Sequence, residues 1–342
     1  MNIEAIARRM RRVSDYVPSF EPIDTPPPQT LWRFLAWCVS GAYPLLAVAA
    51  VVSVIAGAFE IGAAILLGQV IDRALEAGPE AVFVAYWPFL VAVVFYLLIL
   101  RPAVFGGSSL LQSVGMGPGL NVQVLARLHR WTMGQAVTYF DNDFAGRIAQ
   151  KAMQTARAVS DIVVEAINTV VFATASFLAA TLLLISIDWR LSLILGVWLV
   201  GYVMFIRFFL PRIRKRASRR AAARAAVTGQ VVDTITNMRT VKLFAHDDHE
   251  DRAAIDAMSS YRERALDFGL MATTFRFSLI AIASVIPVLL VASVLYLWSL
   301  GLATPGDIAA TGTVSLRLSQ MTGWVSFTLM AMYANVGEVE DA

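Results

Sequence analysis

The chain has 342 residues, 58% hydrophobic and 15% charged, with a mean hydropathy of +0.64. A soluble domain is nearer half apolar, and here the excess is gathered into long blocks, so an ordinary soluble globular protein is excluded and a membrane protein is expected. The net charge is +3 with a pI of about 9.1, carried almost wholly by arginine because lysine occurs only at Lys151, Lys215 and Lys242; membrane topology explains this basicity better than nucleic-acid binding.

Cys38 is the only cysteine, so the chain holds no internal disulfide framework and no thiolate metal site; it reads as a small apolar residue on a membrane-edge helix. The first residues are basic and then proline-rich with no uncharged core, so no cleavable signal peptide is expected. Asn2–Val17 places Ile3, Ile6, Met10, Val13 and Val17 at helical spacing with arginines on the other side. Two readings stand: a basic amphipathic helix on an anionic membrane surface, or a disordered basic tail. Pro18–Gln29 reads as an extended linker, since proline fixes φ and removes a donor. Residues 1–29 thus form an N-terminal segment. Thr30–Gly41, with Trp32, Phe34, Leu35 and Trp37, predicts a short helix in the membrane interface.

Six apolar segments follow, near Tyr43–Gly68, Val84–Ser108, Ile162–Ile187, Leu191–Leu210, Thr273–Ser299 and Asp307–Tyr333. Each reaches the ~20 residues a bilayer crossing needs, and backbone groups in lipid must be paired internally, so all are expected to be helices. The fold class is therefore all-α: a polytopic membrane protein with six transmembrane helices. The connections alternate. Gln69–Phe83, Asp188–Arg190 and Gly301–Gly306 are short, whereas Ser109–Asp161 and Pro211–Ala272 are long and mostly helical in pattern, as two hairpins. Arg73 and Arg190 lie on the short-loop side and Arg101 and Arg317 within spans; the other basic residues lie at the N-terminus, on the long-loop side or at its membrane edge. The positive-inside rule then puts both termini and both hairpins in the cytoplasm, most naturally of a bacterial inner membrane. Gly115, Gly117, Pro118 and Gly119 predict a kink or break in the first descending arm. The basic run Arg212–Arg224 reads as a solvated face at the membrane edge, with a lipid-headgroup site as the sharper alternative.

At the turn of the first hairpin stand Tyr139, Phe140, Asp141, Asn142 and Asp143, then Gly146; Asp143 is placed to cap the next helix. The matching turn of the second hairpin carries Asn237, Met238, Arg239, Thr240, Val241, Lys242 and Phe244. Tyr139-Phe140-Asp141 with Gly146-Arg147-Ile148, the Asp188-Trp189-Arg190 turn, Asn237–Lys242 and Gly306-Asp307 together resemble, in order, motifs of the exporter-type ABC transporter transmembrane domain. The resemblance covers residues 30–336, with 337–342 as the start of a linker. One departure is Gln154-Thr155, where the family often carries Asn-Asp.

The resemblance implies that these two turns are coupling ends that touch a nucleotide-binding domain, with ATP and magnesium held there rather than here. It also implies pairing with a second transmembrane domain, as a homodimer or heterodimer. No G-x-x-x-x-G-K-[ST] occurs, since no lysine follows a glycine, so the ATPase motor is expected in a separate chain or a further part of a longer one, and no catalytic or cofactor-binding residue is assigned. The alternative for the turns is packing within their own hairpins only.

The charges within the apolar segments include Glu60, Arg101 and Arg317. Glu60 and Arg317 each fall roughly 10–15 Å from the short-loop ends at 1.5 Å per residue, and either pair structurally or line a substrate path. Arg101, before Pro102, is expected to snorkel toward the interface in preference to touching substrate. The His246–Asp251 run has no converging geometry, so no metal site is expected. Pro287, Gly312 and Gly323 are expected to permit bending or close packing. The functional expectation is an ATP-driven exporter of an amphipathic or hydrophobic substrate. The competing reading is a membrane scaffold or binding protein of the same fold without a transport cycle.

Overall fold

The computed structural model describes residues 12–23, 25–141, 145–239 and 247–340, the side chains at 12, 141, 145–147 and 247–250 excepted. After a short 3-10 turn at Arg12–Tyr16 come α1 (Leu31–Val39), α2 (Tyr43–Ala85), α3 (Trp87–Met133) and the one-turn α4 (Val137–Asp141). The helix α5 joins Ala145–Glu165, a π-helical Ala166–Val171 and Phe172–Ile187; then follow α6 (Trp189–Thr236), α7 (Asp247–Ser299) and α8 (Pro305–Glu340). Five of these helices are long and apolar enough to cross a membrane: α2, α3, α5 from Ile148, α6, and α7 from Asp251. α8 holds the sixth expected segment and has the length, at 36 residues, but Thr311, Thr313, Ser315, Thr322 and Ser326 lower its apolarity.

Local chemistry explains each break. α2 runs through the stretch expected to be a loop at Gln69–Phe83, and its ladder is interrupted only at Gly78 (φ 74°), whose left-handed conformation lets Pro79 start the next turn. α3 is not broken at Gly115–Gly119. A π-helical turn, Leu111–Met116, precedes Pro118, as another, Tyr96–Leu100, precedes Pro102. Proline lacks an N–H and crowds the carbonyl four residues back, and one wider turn accommodates both. Between α5 and α6 only Asp188 leaves the helix: its backbone is extended and its Oδ1 accepts the Arg190 N–H at 2.8 Å, an N-cap. Thr304 and Asp307 close α8 reciprocally, the Asp307 N–H donating to Thr304 Oγ1 at 3.0 Å and the Thr304 N–H to Asp307 Oδ2 at 2.8 Å.

The chain divides into two compact units, residues 1–195 with 286–342, and residues 196–285. In the first, α2 packs against α8 and against the Phe172–Ile187 part of α5, while the Ala145–Glu165 part of α5 packs against α3 and α8. The buried face of α2 is mostly small residues, Ala49, Ser53, Ala56, Gly57, Ala64 and Gly68, with Leu45 and Ile61 among them, whereas Val48, Val51, Val54, Ile55 and Leu67 point outward. Lipid is as apolar as leucine, so helices in a bilayer gain by close backbone approach rather than by hiding bulk. A Cβ on Gly57 would lie 2.8 Å from the Phe172 carbonyl oxygen, and one on Gly68 2.6 Å from that of Gly306. The close crossings therefore fall at Gly57, Gly68 and Gly306. Gly312 and Gly323, expected to serve this way, have no tight neighbour.

Residues 17–20 pack onto α3, while residues 1–11, which hold most of the expected basic amphipathic stretch, lie outside the described residues. Val17 is buried, Ser19 Oγ donates to the Gly119 carbonyl at 3.0 Å, and Arg130 Nη2 donates to the Phe20 carbonyl at 2.7 Å. In the second unit, α6 and α7 run antiparallel. Trp198 Nε1 donates to the Ile282 carbonyl at 2.9 Å, Phe205 stacks on Phe275 at 5.4 Å, and Arg216 Nε meets Asp267 Oδ1 at 3.2 Å. Arg220 lies over the Phe268 ring at 4.0 Å, so part of the basic run is spent inside this hairpin.

Candidate functional site

α2, α3 and α8 each deliver one charge to a common point. Glu60 Oε2 accepts from Arg101 Nη2 at 2.9 Å, and Glu60 Oε1 meets Arg317 Nε at 2.5 Å. The three charges separated in the sequence form one cluster, and Arg101 is committed to Glu60 instead of snorkelling away. The reason is cost: an unpaired guanidinium or carboxylate among apolar helices is expensive, and one carboxylate with two oxygens serves two cations at once. The Glu60 side chain is 10% exposed, against 31% for Arg101 and 47% for Arg317. A cavity of about 330 Å³ opens on the cluster, and Phe105, Phe172, Met321 and Trp324 line its other side.

The register of this site is fixed a few turns away. Asp72 of α2 accepts the Gly306 N–H at 2.7 Å and the Thr304 hydroxyl at 2.7 Å, so its carboxylate sits on the N-terminus of α8. Gly306 has no room for a side chain because Asp72 and the Gly68 carbonyl occupy that space. The Gly306-Asp307 pair thus has a physical meaning: glycine allows the crossing and aspartate caps the helix. Asp72 was not singled out in the sequence; an aspartate one turn beyond Gly68 carries no signal until α8 is beside it.

A second assembly, also missed, holds α1. Arg127 of α3 is 4% exposed and donates through Nη1 to the carbonyls of Trp37 (2.6 Å) and Cys38 (2.9 Å) and through Nη2 to that of Ser40 (2.8 Å). Gln123 Nε2 donates to the carbonyls of Cys38 at 2.9 Å and Ser40 at 3.0 Å. These are the orphan carbonyls at the end of α1, and a cation there is also favoured by the helix dipole. Burial pushes the Cys38 thiol up to about 12.

At the first hairpin turn, Tyr139 and Phe140 are 45% and 41% exposed and meet edge to face at 5.3 Å. Phe140 borders an apolar groove of about 600 Å³ with Phe20, Ala126, His129, Ile148 and Met153, and Tyr139 borders a second cavity of about 690 Å³ with Phe34, Trp131 and Lys151. Asp141 ends α4 and Gly146 lies in the first turn of α5, but their side chains, with all of Asn142 and Asp143, lie outside the described residues. At the second turn, Asn237 Nδ2 donates to Asp233 Oδ1 at 2.9 Å, Met238 is 38% exposed and Arg239 is exposed. Thr240, Val241, Lys242 and Phe244 lie outside the described residues, as does His246. Among the described residues no group of histidine, cysteine and acidic side chains could hold a metal.

Comparison with known proteins gives a consistent result. Residues 46–325 match the family described as the ABC transporter transmembrane region. An uncharacterized ABC transporter ATP-binding protein of Haemophilus influenzae is 27% identical over 93% of this chain and 52% of its own length, so the chain spans about half of that relative. The ABC-type oligopeptide transporter of Homo sapiens is 28% identical over 38% of this chain and 17% of its own length. The ATP-dependent lipid A-core flippase of Syntrophus aciditrophicus is 23% identical over 61% of this chain and 34% of its own length.

Proposed function

Because the chain belongs to the ABC transporter transmembrane family, we propose that it lines the translocation path of an ATP-driven exporter of amphipathic or hydrophobic substrates. The observation that carries this reading is helix length. α3 has 47 residues, α6 has 48 and α7 has 49 from Asp251, or about 70 Å each at 1.5 Å per residue. The hydrocarbon core needs only ~30 Å, so each helix continues well past the bilayer as a lever. The exposed aromatics Tyr139 and Phe140 at one turn, and Met238 and Arg239 at another, are the kind of compact anchors that dock in a partner's groove. In this reading a nucleotide-binding domain that holds ATP and magnesium engages both turns, and a second transmembrane domain completes the path. The arginine distribution supports cytoplasmic termini and cytoplasmic turns in a bacterial inner membrane. α8 is the sixth crossing, tolerated by lipid because its Thr and Ser hydroxyls donate to backbone carbonyls one turn back, as Thr322 Oγ1 does to Leu318 at 2.7 Å. ATP moves the helices only by favouring one of two packed arrangements over the other.

The test is affinity capture from the native membrane with measurement of intact mass. The expected result is either a chain larger than 37.3 kDa by a domain, ~25 kDa or more, or a co-purifying ATPase. A Phe140→Cys variant on a Cys38→Ser background then crosslinks to that ATPase domain. A 37.3 kDa chain that captures no ATPase overturns the reading in favour of a scaffold.

A further inference from the structure

We propose that the Glu60–Arg101–Arg317 cluster is a subsite for the anionic headgroup of an amphipathic substrate, whose apolar body lies on Phe105, Phe172 and Trp324. This deepens the transport reading and rests on it for the word substrate. The charge count comes first. Two guanidinium groups share one carboxylate, so the cluster keeps one excess positive charge on the wall of a cavity. A positive charge among apolar helices is costly unless an anion joins it.

Exposure decides which sign faces the cavity. Glu60 is the more covered partner at 10%, while the two arginine side chains are 31% and 47% exposed. Arg317 meets Glu60 through Nε, and its two terminal Nη groups are not needed for that contact. A guanidinium presents a planar fork of donors that fits a carboxylate or phosphate through two parallel hydrogen bonds. Arg101 adds a buried Nε with no acceptor.

The aromatic wall supplies the other half. Phe105 and Phe172 meet edge-on at 6.2 Å, and Phe172 and Trp324 lie 6.0 Å apart, which makes one continuous apolar surface beside the charges. A cavity of about 330 Å³ holds a headgroup with the first part of an acyl or aromatic body. A cationic amphiphile of the same shape meets the excess positive charge and is disfavoured.

The experiment uses the full chain in nanodiscs of neutral phosphatidylcholine, without ATP, and titrates three dansyl-alkyl probes of equal length that end in a carboxylate, a phosphate or an amine. The carboxylate and phosphate probes are expected to bind at least tenfold tighter than the amine. Arg317→Gln is expected to remove that preference, and Arg317→Lys to restore part of it. Glu60→Gln is expected to tighten both anionic probes at least threefold, because it removes the competing carboxylate; a purely structural ion pair gives no such gain. If Glu60→Gln does not fold, Trp324→Ala, expected to weaken all three probes together, takes its place. Equal binding of anions and amine by the wild-type chain overturns the proposal, as does Glu60→Gln weakening the anions while elution and helicity stay those of wild type. Addition of phosphatidylglycerol to the disc separates the sources. Displacement of the anionic probes assigns a membrane lipid, and its absence assigns a soluble amphiphile. Binding is read without the motor, so failure here leaves the ATPase capture untouched, and failure of that capture leaves an anion site on a non-transporting protein.

Discussion

Arg127 and Arg101 lie on the same helix, yet their guanidinium groups are held in opposite ways. Arg127 is clamped by the backbone carbonyls of Trp37, Cys38 and Ser40, which cannot move without unwinding α1, and it is 4% exposed. Arg101 is held by one carboxylate that it shares with Arg317, and its side chain is 31% exposed beside a cavity. Several fixed neutral acceptors converge on both terminal nitrogens of Arg127 and make it a structural clamp. A shared, oversubscribed carboxylate leaves donors that a ligand can take.

The sharpest way to break this contrast is to remove the clamp. Arg127→Met is expected to destabilise the protein by ~3 kcal/mol or more, because several buried carbonyls lose charge-assisted hydrogen bonds worth ~1.5–3 kcal/mol each. Thermal unfolding in detergent checks it, and a variant as stable as wild type would remove the structural half of the comparison. Gly306→Ala is next. Its Cβ meets the Gly68 carbonyl and Asp72, so α8 must shift off α2, at a cost of ~1–3 kcal/mol in the same assay. The Glu60–Arg317 pair is smaller. With Arg317 47% exposed, a double-mutant cycle of Glu60→Gln and Arg317→Gln is expected to give a coupling of only ~1 kcal/mol. A coupling of several kcal/mol would make this pair as structural as the clamp.

The smallest effect is chemical. The Cys38 thiol is raised from 9.0 to about 12, so its contribution to stability is complete below pH 9 and is lost as pH rises toward 12. At pH 8 the native protein is expected to resist maleimide, since only ~0.01% of such a thiol is ionised. Unfolding, or loosening of α1 by Arg127→Gln, is expected to open it to labelling. Rapid labelling of the folded wild type would show that α1 is not held.

Much of the fold is legible because it depends on composition alone. A bilayer requires long apolar helices, so α2, α3, α5, α6 and α7 announce themselves, and Asp188-Trp189-Arg190 carries local turn chemistry. The site is only half legible. A charge at Glu60, Arg101 or Arg317 stands out against an apolar background, but its partner does not, because each lies on a different helix. Snorkelling was the natural reading for Arg101 taken singly.

The glycines make the same point. Gly312 and Gly323 look like packing positions in the sequence, yet the tight crossings are at Gly57, Gly68 and Gly306. One helix's composition does not say where its neighbour crosses. The sequence by itself determined that the chain is all-α, that it belongs in a membrane, and which residues are costly enough there to need a partner. Only the tertiary structure decided the partners: that Glu60 serves two arginines, that Asp72 caps α8, and that Arg127 ends α1. Burial cost is a property of a residue and can be read along the chain, whereas the geometry that offsets it is a property of three helices at once.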